Sequence, residues 1–115
     1  MASCHVHLAR AVVRELKKFP RKVQENLIAH LDRLEEAPRP PGVEKLSDQP
    51  GFFRVRVGDY RIVYAIPKPQ LLVVCLIGDR KNVYRAVYRL NATLDHAMQE
   101  LHDRPQVDQQ SSRKS

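Results

Sequence analysis

The chain has no tryptophan, and only four glycines and two cysteines among its 115 residues. Two thiols, Cys4 and Cys75, both in strand-like segments, do not make a disulfide framework, so a reducing cytoplasm is the expected setting. No apolar run nears the ~20 residues that a membrane-spanning helix needs, and the first residues lack a signal-peptide pattern. No membrane role is expected. Four scattered glycines make no phosphate-binding loop, and no nucleophile elbow occurs. His5 and His7 share one face of a candidate strand, but with no third ligand near them they read as surface histidines rather than a metal site. The expectation is chemistry without metal or cofactor.

Acidic residues run short in one region only. Residues 1–50 carry 9 basic and 7 acidic side chains, residues 51–90 carry 8 and 2, and residues 91–115 carry 3 and 4. The net charge of +7 thus sits almost wholly in the middle region, where Asp59 and Asp79 are the only acids. Paired carboxylates for acid–base work are missing there. A field concentrated in this way suits phosphate, nucleic acid or an acidic protein partner. With 43% hydrophobic and 29% charged residues, the composition is ordinary for one soluble domain. We expect that domain over residues 1–102, followed by a polar, disordered tail at 103–115.

What is present starts with a short candidate strand over residues 3–8. Val12, Val13, Leu16 and Phe19 recur at helical spacing until Pro20 closes the run, and Val23, Leu27, Leu31 and Leu34 form a second apolar stripe over residues 21–37. Two helices parted by a proline turn should pack as an antiparallel hairpin. Pro38-Arg39-Pro40-Pro41-Gly42 is a stiff connector. Residues 71–77 run apolar without alternation, as a strand covered on both faces does, which makes them the natural central strand. Pro67-Lys68-Pro69-Gln70 should be the loop before it. Val87, Leu90, Leu94, Met98 and Leu101 predict an amphipathic C-terminal helix over residues 86–101.

The most informative stretch is 52–66, two strands joined by Gly58-Asp59, a two-residue hairpin signal. If those two residues form the loop, Val57 pairs with Tyr60 and Arg56 with Arg61. Alternation then puts Phe53, Val55, Val57, Tyr60, Ile62 and Tyr64 on one face and Arg54, Arg56 and Arg61 on the other. Opposed like charges cost a hairpin ~0.2–1 kcal/mol. A fold does not need that arrangement, whereas an anionic ligand would use it. Arg80 and Tyr84, four residues apart at the end of the next strand, can join the same site. Arginine forks match phosphate oxygens, and a tyrosine among them can stack on a base or exchange a proton.

Three motifs together carry a family resemblance: Lys45-Leu46; Phe52-Phe53-Arg54-Val55-Arg56-Val57-Gly58-Asp59-Tyr60-Arg61-Ile62-Val63-Tyr64; and Ile77-Gly78-Asp79-Arg80-Lys81-Asn82-Val83-Tyr84-Arg85. The chain resembles the RelE/ParE toxin superfamily of bacterial toxin–antitoxin modules over roughly residues 5–90. The resemblance implies an α+β fold in which an N-terminal helical hairpin packs on a twisted antiparallel sheet of about four strands, with a C-terminal helix. It implies a ribosome-dependent mRNA endonuclease that works without a metal: the 2′-hydroxyl attacks the adjacent phosphorus, leaving a 2′,3′-cyclic phosphate and a 5′-hydroxyl. Site residues then fall on Arg56, Arg61, Arg80 and Tyr84, with Asp79 as the nearest candidate base, and RNA-binding cations on Lys45, Arg54, Lys81 and Arg85. A cognate antitoxin protein, forming a hetero-oligomer with the toxin, is the implied partner beside the ribosome and mRNA.

The pattern departs from the family in two places. Well-studied RelE toxins have lysines where this chain has Arg54 and Arg56, and many relatives read Gly-His-Arg at Gly78-Asp79-Arg80. Arginine, with a pKa above about 12, cannot replace a lysine base. A ParE-like gyrase inhibitor and a non-catalytic homologue acting as a binding module are therefore alternative expectations.

Overall fold

A computed structural model describes residues 4–103. Apart from Asp103, the expected tail lies outside the described residues. The chain forms β1 (His5–Leu8), α1 (Arg10–Lys18), α2 (Arg21–Glu36), β2 (Glu44–Lys45), β3 (Phe52–Val57), β4 (Tyr60–Lys68), β5 (Leu71–Asp79), α3 (Arg80–Ala86), a 3-10 turn (Val87–Arg89) and α4 (Leu90–Asp103). This is the expected α+β architecture. Among the described residues no helix is long and apolar enough to cross a membrane.

The stop signals in the sequence operate as physical chemistry requires. Pro20 has no N–H to lose at a helix start, and its carbonyl accepts the first bond of α2, from the Gln24 N–H at 2.9 Å. The Gln24 side chain donates back to the Phe19 carbonyl at 2.8 Å, closing the turn between the helices. The helices then bury their stripes, Val12 and Leu16 from α1 and Leu27, Leu31 and Leu34 from α2. Phe19 meets Tyr60 edge-on at 5.1 Å between ring centroids, so the helical turn rests on the start of β4.

The sheet departs from expectation in three ways. It has five strands in the order β1-β5-β4-β3-β2, so β4 is central and β5 lies between β1 and β4. It is also mixed: β1 pairs with β5 in parallel, His5 opposite Leu71 and Leu8 opposite Val74. The reason is that the helical hairpin and three further strands intervene, and β1 takes the outer edge of β5 after β4 has taken the inner one. Finally, β4 runs through Pro67 to Lys68, with a register shift between Ala65 and Lys68 that accommodates a residue lacking an N–H. The loop shrinks to Pro69 and Gln70, the latter at φ 69°.

At the C-terminal side the expected single helix from residue 86 is divided. α3 starts directly at Arg80, and Ala86, at φ −107° and ψ 0°, breaks the run before the 3-10 turn and α4. The connector after α2 is fastened from below. The Tyr64 hydroxyl donates to the Pro38 carbonyl at 2.5 Å, Tyr64 stacks on Phe53, and the Arg39 guanidinium lies 4.9 Å from the Phe53 ring centroid. Those contacts anchor the connector to the core face of β3 and β4.

Candidate functional site

The site is built on the β3–β4 hairpin, whose register is as the turn chemistry dictates. Arg56 stands opposite Arg61 and Val57 opposite Tyr60. Gly58 has φ 60° while Asp59 stays at negative φ, the pattern of a type II′ turn with glycine first. Phe53, Val55, Val57, Ile62 and Tyr64 are buried on the core face, which leaves Arg54, Arg56 and Arg61 on the other.

The three arginines of that face are not equivalent. Arg56 is exposed. Arg61 is only 6% exposed, and its Nη1 donates to the carbonyls of Gly58 at 3.1 Å and Tyr60 at 2.9 Å. Burial pushes its pKa below the usual arginine value, and the charges of Arg56, Arg54 and Arg80 push the same way. A guanidinium held among three others is poised for an anion, which would relieve all four. Arg54 is already occupied: Nη2 pairs with the Glu44 carboxylate and Nη1 donates to the Tyr84 hydroxyl at 2.8 Å. The hydrogen bond from Arg54 holds the Glu44 carboxyl below the ordinary carboxylate range, helped by the charges of Arg54, Arg56 and Arg61.

The end of β5 supplies the second wall. Asp79 lies opposite Tyr60, and the Arg80 N–H donates to the Asp59 carbonyl at 3.1 Å, so the β3–β4 turn and the start of α3 are joined. Arg56, Asp59, Arg61, Asp79, Arg80, Lys81 and Tyr84 line an open cleft of about 670 Å³. Tyr84 is 55% exposed, and the Arg54 guanidinium lies 5.7 Å from its ring centroid. Asp79 caps α3, accepting at 2.9 Å from both the backbone N–H and the side-chain amide of Asn82. Its carboxylate is thereby turned to a structural task, with Asn82 as partner rather than Arg80 or Lys81.

Two of the expected RNA-binding cations stand apart from the cleft. Lys45 pairs with Phe53, so alternation turns it to the face opposite Glu44 and Arg54. Arg85 lines a groove between α1 and α4, with Arg14, Glu15 and Arg89. In the other direction, Glu44 belongs to the site, and the residue pattern did not single it out. It reaches Arg54 because β2 pairs with β3, Glu44 opposite Arg54. Two residues of strand carry no periodicity; the only signal was an acid shortly before a strongly basic hairpin. Among the described residues, no cluster of His, Cys, Asp and Glu could hold a metal ion.

The chain matches the family described as ParE toxin of type II toxin–antitoxin system, parDE, over residues 6–84, a span that includes every residue of the cleft. No curated protein sequence matches it. Among solved structures, a double mutant of the E. coli toxin RelE in the free state is 26% identical with a TM-score of 0.62, covering 78% of this chain and 99% of that one. The archaeal RelE–RelB complex from Pyrococcus horikoshii OT3 is 27% identical with a TM-score of 0.58, covering 70% and 97%. The RelBE2 toxin–antitoxin complex from Mycobacterium tuberculosis, 22% identical with a TM-score of 0.60 and coverage of 68% and 99%, shares the fold. Motifs, fold and likeness agree, and the chain belongs to the RelE/ParE toxin superfamily of type II toxin–antitoxin systems.

Proposed function

We propose that this toxin is a metal-independent endonuclease of mRNA acting on the ribosome. The observation that carries the reading is the convergence of Arg56, Arg61 and Arg80 with Tyr84 on one open cleft, with the Arg54–Glu44 pair at its edge. The arginines would hold the scissile phosphate and stabilise the charge that builds on it when the 2′-hydroxyl attacks. Glu44, paired with Arg54 at the edge of the cleft, would take the 2′-proton. It is ionised at neutral pH, and with Oε1 on Arg54 its Oε2 would take the proton. The Tyr84 hydroxyl accepts from Arg54 and so keeps its own proton to give to the departing 5′-oxygen. Its exposed ring is free to stack on a base. The partner is a cognate antitoxin, as the RelB-bound relatives suggest, and the arginine face would take carboxylates from it.

The test is controlled expression in bacteria with primer-extension mapping of cellular mRNA. The reading requires cuts inside translated codons that vanish when translation is blocked. The match to a family described by ParE favours a second reading, gyrase inhibition, which predicts growth arrest with DNA damage and intact mRNA. Absence of toxicity would mean a non-catalytic binding module. Within the first reading, Arg61→Ala and Arg80→Ala should each lower cleavage by a factor of 100 or so, as loss of a charge-stabilising donor does. Glu44→Gln should lower it by roughly 100-fold, the usual contribution of a general base. Unchanged rates in all three variants would refute the site.

A further inference from the structure

The aromatic surface of the site continues past the cleft. Tyr88, 74% exposed, is the most exposed large hydrophobic residue among those described. Val83 is buried and Val87 packs on the core. Tyr84 and Tyr88 each stand one position after these residues, so they share a phase on the outer side of the element. The Arg89 guanidinium lies 5.7 Å from the Tyr88 ring centroid, the same separation as Arg54 from Tyr84. Residues 80–94 contain no acid; Arg80 and Lys81 line the cleft, and Arg85 and Arg89 line the neighbouring groove beside α1. Four residues of α-helix and 3-10 turn advance roughly 6–8 Å. That exceeds the ~3.4 Å between stacked bases and suits a strand whose successive bases are splayed apart.

Exposed rings each beside a guanidinium, at nucleotide spacing along a segment without acids, are the elements of a single-strand platform. Resting on the reading of the cleft as an mRNA site, we infer that Tyr88 and Arg89 form a second stacking position, for an unpaired mRNA base that flanks the one at Tyr84. This position extends the footprint of the toxin on mRNA and lets a base outside the cut affect the choice of site. Purines, with the larger stacking surface, should be favoured there over pyrimidines.

The experiment uses 2′-O-methylated RNA, which cannot be cut, as fluorescent trinucleotides and hexanucleotides. Anisotropy titration should find the hexanucleotide bound more tightly than the trinucleotide by the unaltered protein, with about tenfold of the gain from one added aromatic stack and the rest from its additional phosphates. Tyr88→Ala should remove that tenfold part with trinucleotide affinity unchanged, and Tyr88→Phe should retain it. A side chain so exposed can be removed without unfolding the protein, which a thermal melt checks. Survival of the full gain in Tyr88→Ala overturns the inference and leaves the cleft reading intact. A Tyr88→Ala defect seen only in sedimentation with empty ribosomes, or only in capture of the antitoxin, also overturns it, because the ring then serves ribosomal RNA or a protein. Failure of the unaltered protein to bind the hexanucleotide more tightly than the trinucleotide also overturns this inference, while the cleft reading stands or falls with the mapped cuts.

Discussion

At the scale of single residues, Asp79 and Glu44 each have a side-chain partner in the fold, Asn82 for the first and Arg54 for the second. Asp79 sits beside Arg80 but is used as the N-cap of α3, with both its oxygens on Asn82. Asparagine caps a helix about as well as aspartate, whereas alanine costs ~1 kcal/mol. Asp79→Asn should therefore keep both stability and cleavage, and Asp79→Ala should lose about 1 kcal/mol in urea denaturation. A cleavage defect in Asp79→Asn would restore Asp79 as the base. Buried groups that the site does not use set a second expectation. Burial pushes the Cys75 thiol from 9.0 up to about 12 and the Tyr64 phenol from 10.0 up to about 12. Both are neutral when protonated, so the folded state holds the proton more tightly than the unfolded chain. Their stabilisation is complete below pH 9 and is lost as pH rises toward 12, at up to ~1.4 kcal/mol per unit for each group. Cys4, raised in the same direction by burial, adds to the decline. Denaturation midpoints should fall from pH 9 upward, and Cys75→Val should flatten most of the slope between pH 9 and 10. An unchanged slope in that variant would count against the assignment.

At the scale of elements, the β3–β4 hairpin makes the site because its turn admits one register. Gly58 at φ 60° has open space around a would-be Cβ, so the obstacle to alanine there is backbone strain rather than contact. A positive φ at that turn position costs a non-glycine residue ~1–3 kcal/mol. Gly58→Ala should lose that much stability and loosen Arg61, whose guanidinium is held by the Gly58 and Tyr60 carbonyls. Gly58→Asn should be milder, and equal losses in the two variants would argue against strain as the cause. The hairpin was legible beforehand because glycine placement, strand alternation and loop length all report on local geometry. So were the two helical stripes. The pairing of β2 with β3 and of β1 with β5 was not, since neither strand specifies its distant neighbour, and two residues are too few for a pattern. Glu44 was missed for that reason. Helix α3 was not legible either, because a seven-residue segment is too short to show an apolar stripe of its own before the one that starts at residue 86.

At the scale of the whole molecule, charge is segregated so that the core and the site do not compete. The helical hairpin is nearly balanced in charge, and the excess is carried by the strands and helix that form the cleft. A ligand there must be bound largely by counterion release, and the strength of that dependence tests how many cations take part. Arg54 is neutralised by Glu44, which leaves Arg56, Arg61, Arg80 and Lys81 as four cations for phosphates. For single-stranded nucleic acid, four contacts give a slope of about −3 in log affinity against log salt. Binding of the uncuttable hexanucleotide should then weaken by about 50-fold between 50 and 200 mM salt. Glu44→Gln frees Arg54 for a fifth contact, so it should bind RNA more tightly at low salt and steepen the slope by about 0.7. The same substitution removes the proposed base, so tighter binding would accompany slower cutting. That opposed pair of effects separates a catalytic carboxylate from one that merely neutralises its arginine: in the second case affinity and cleavage would rise together.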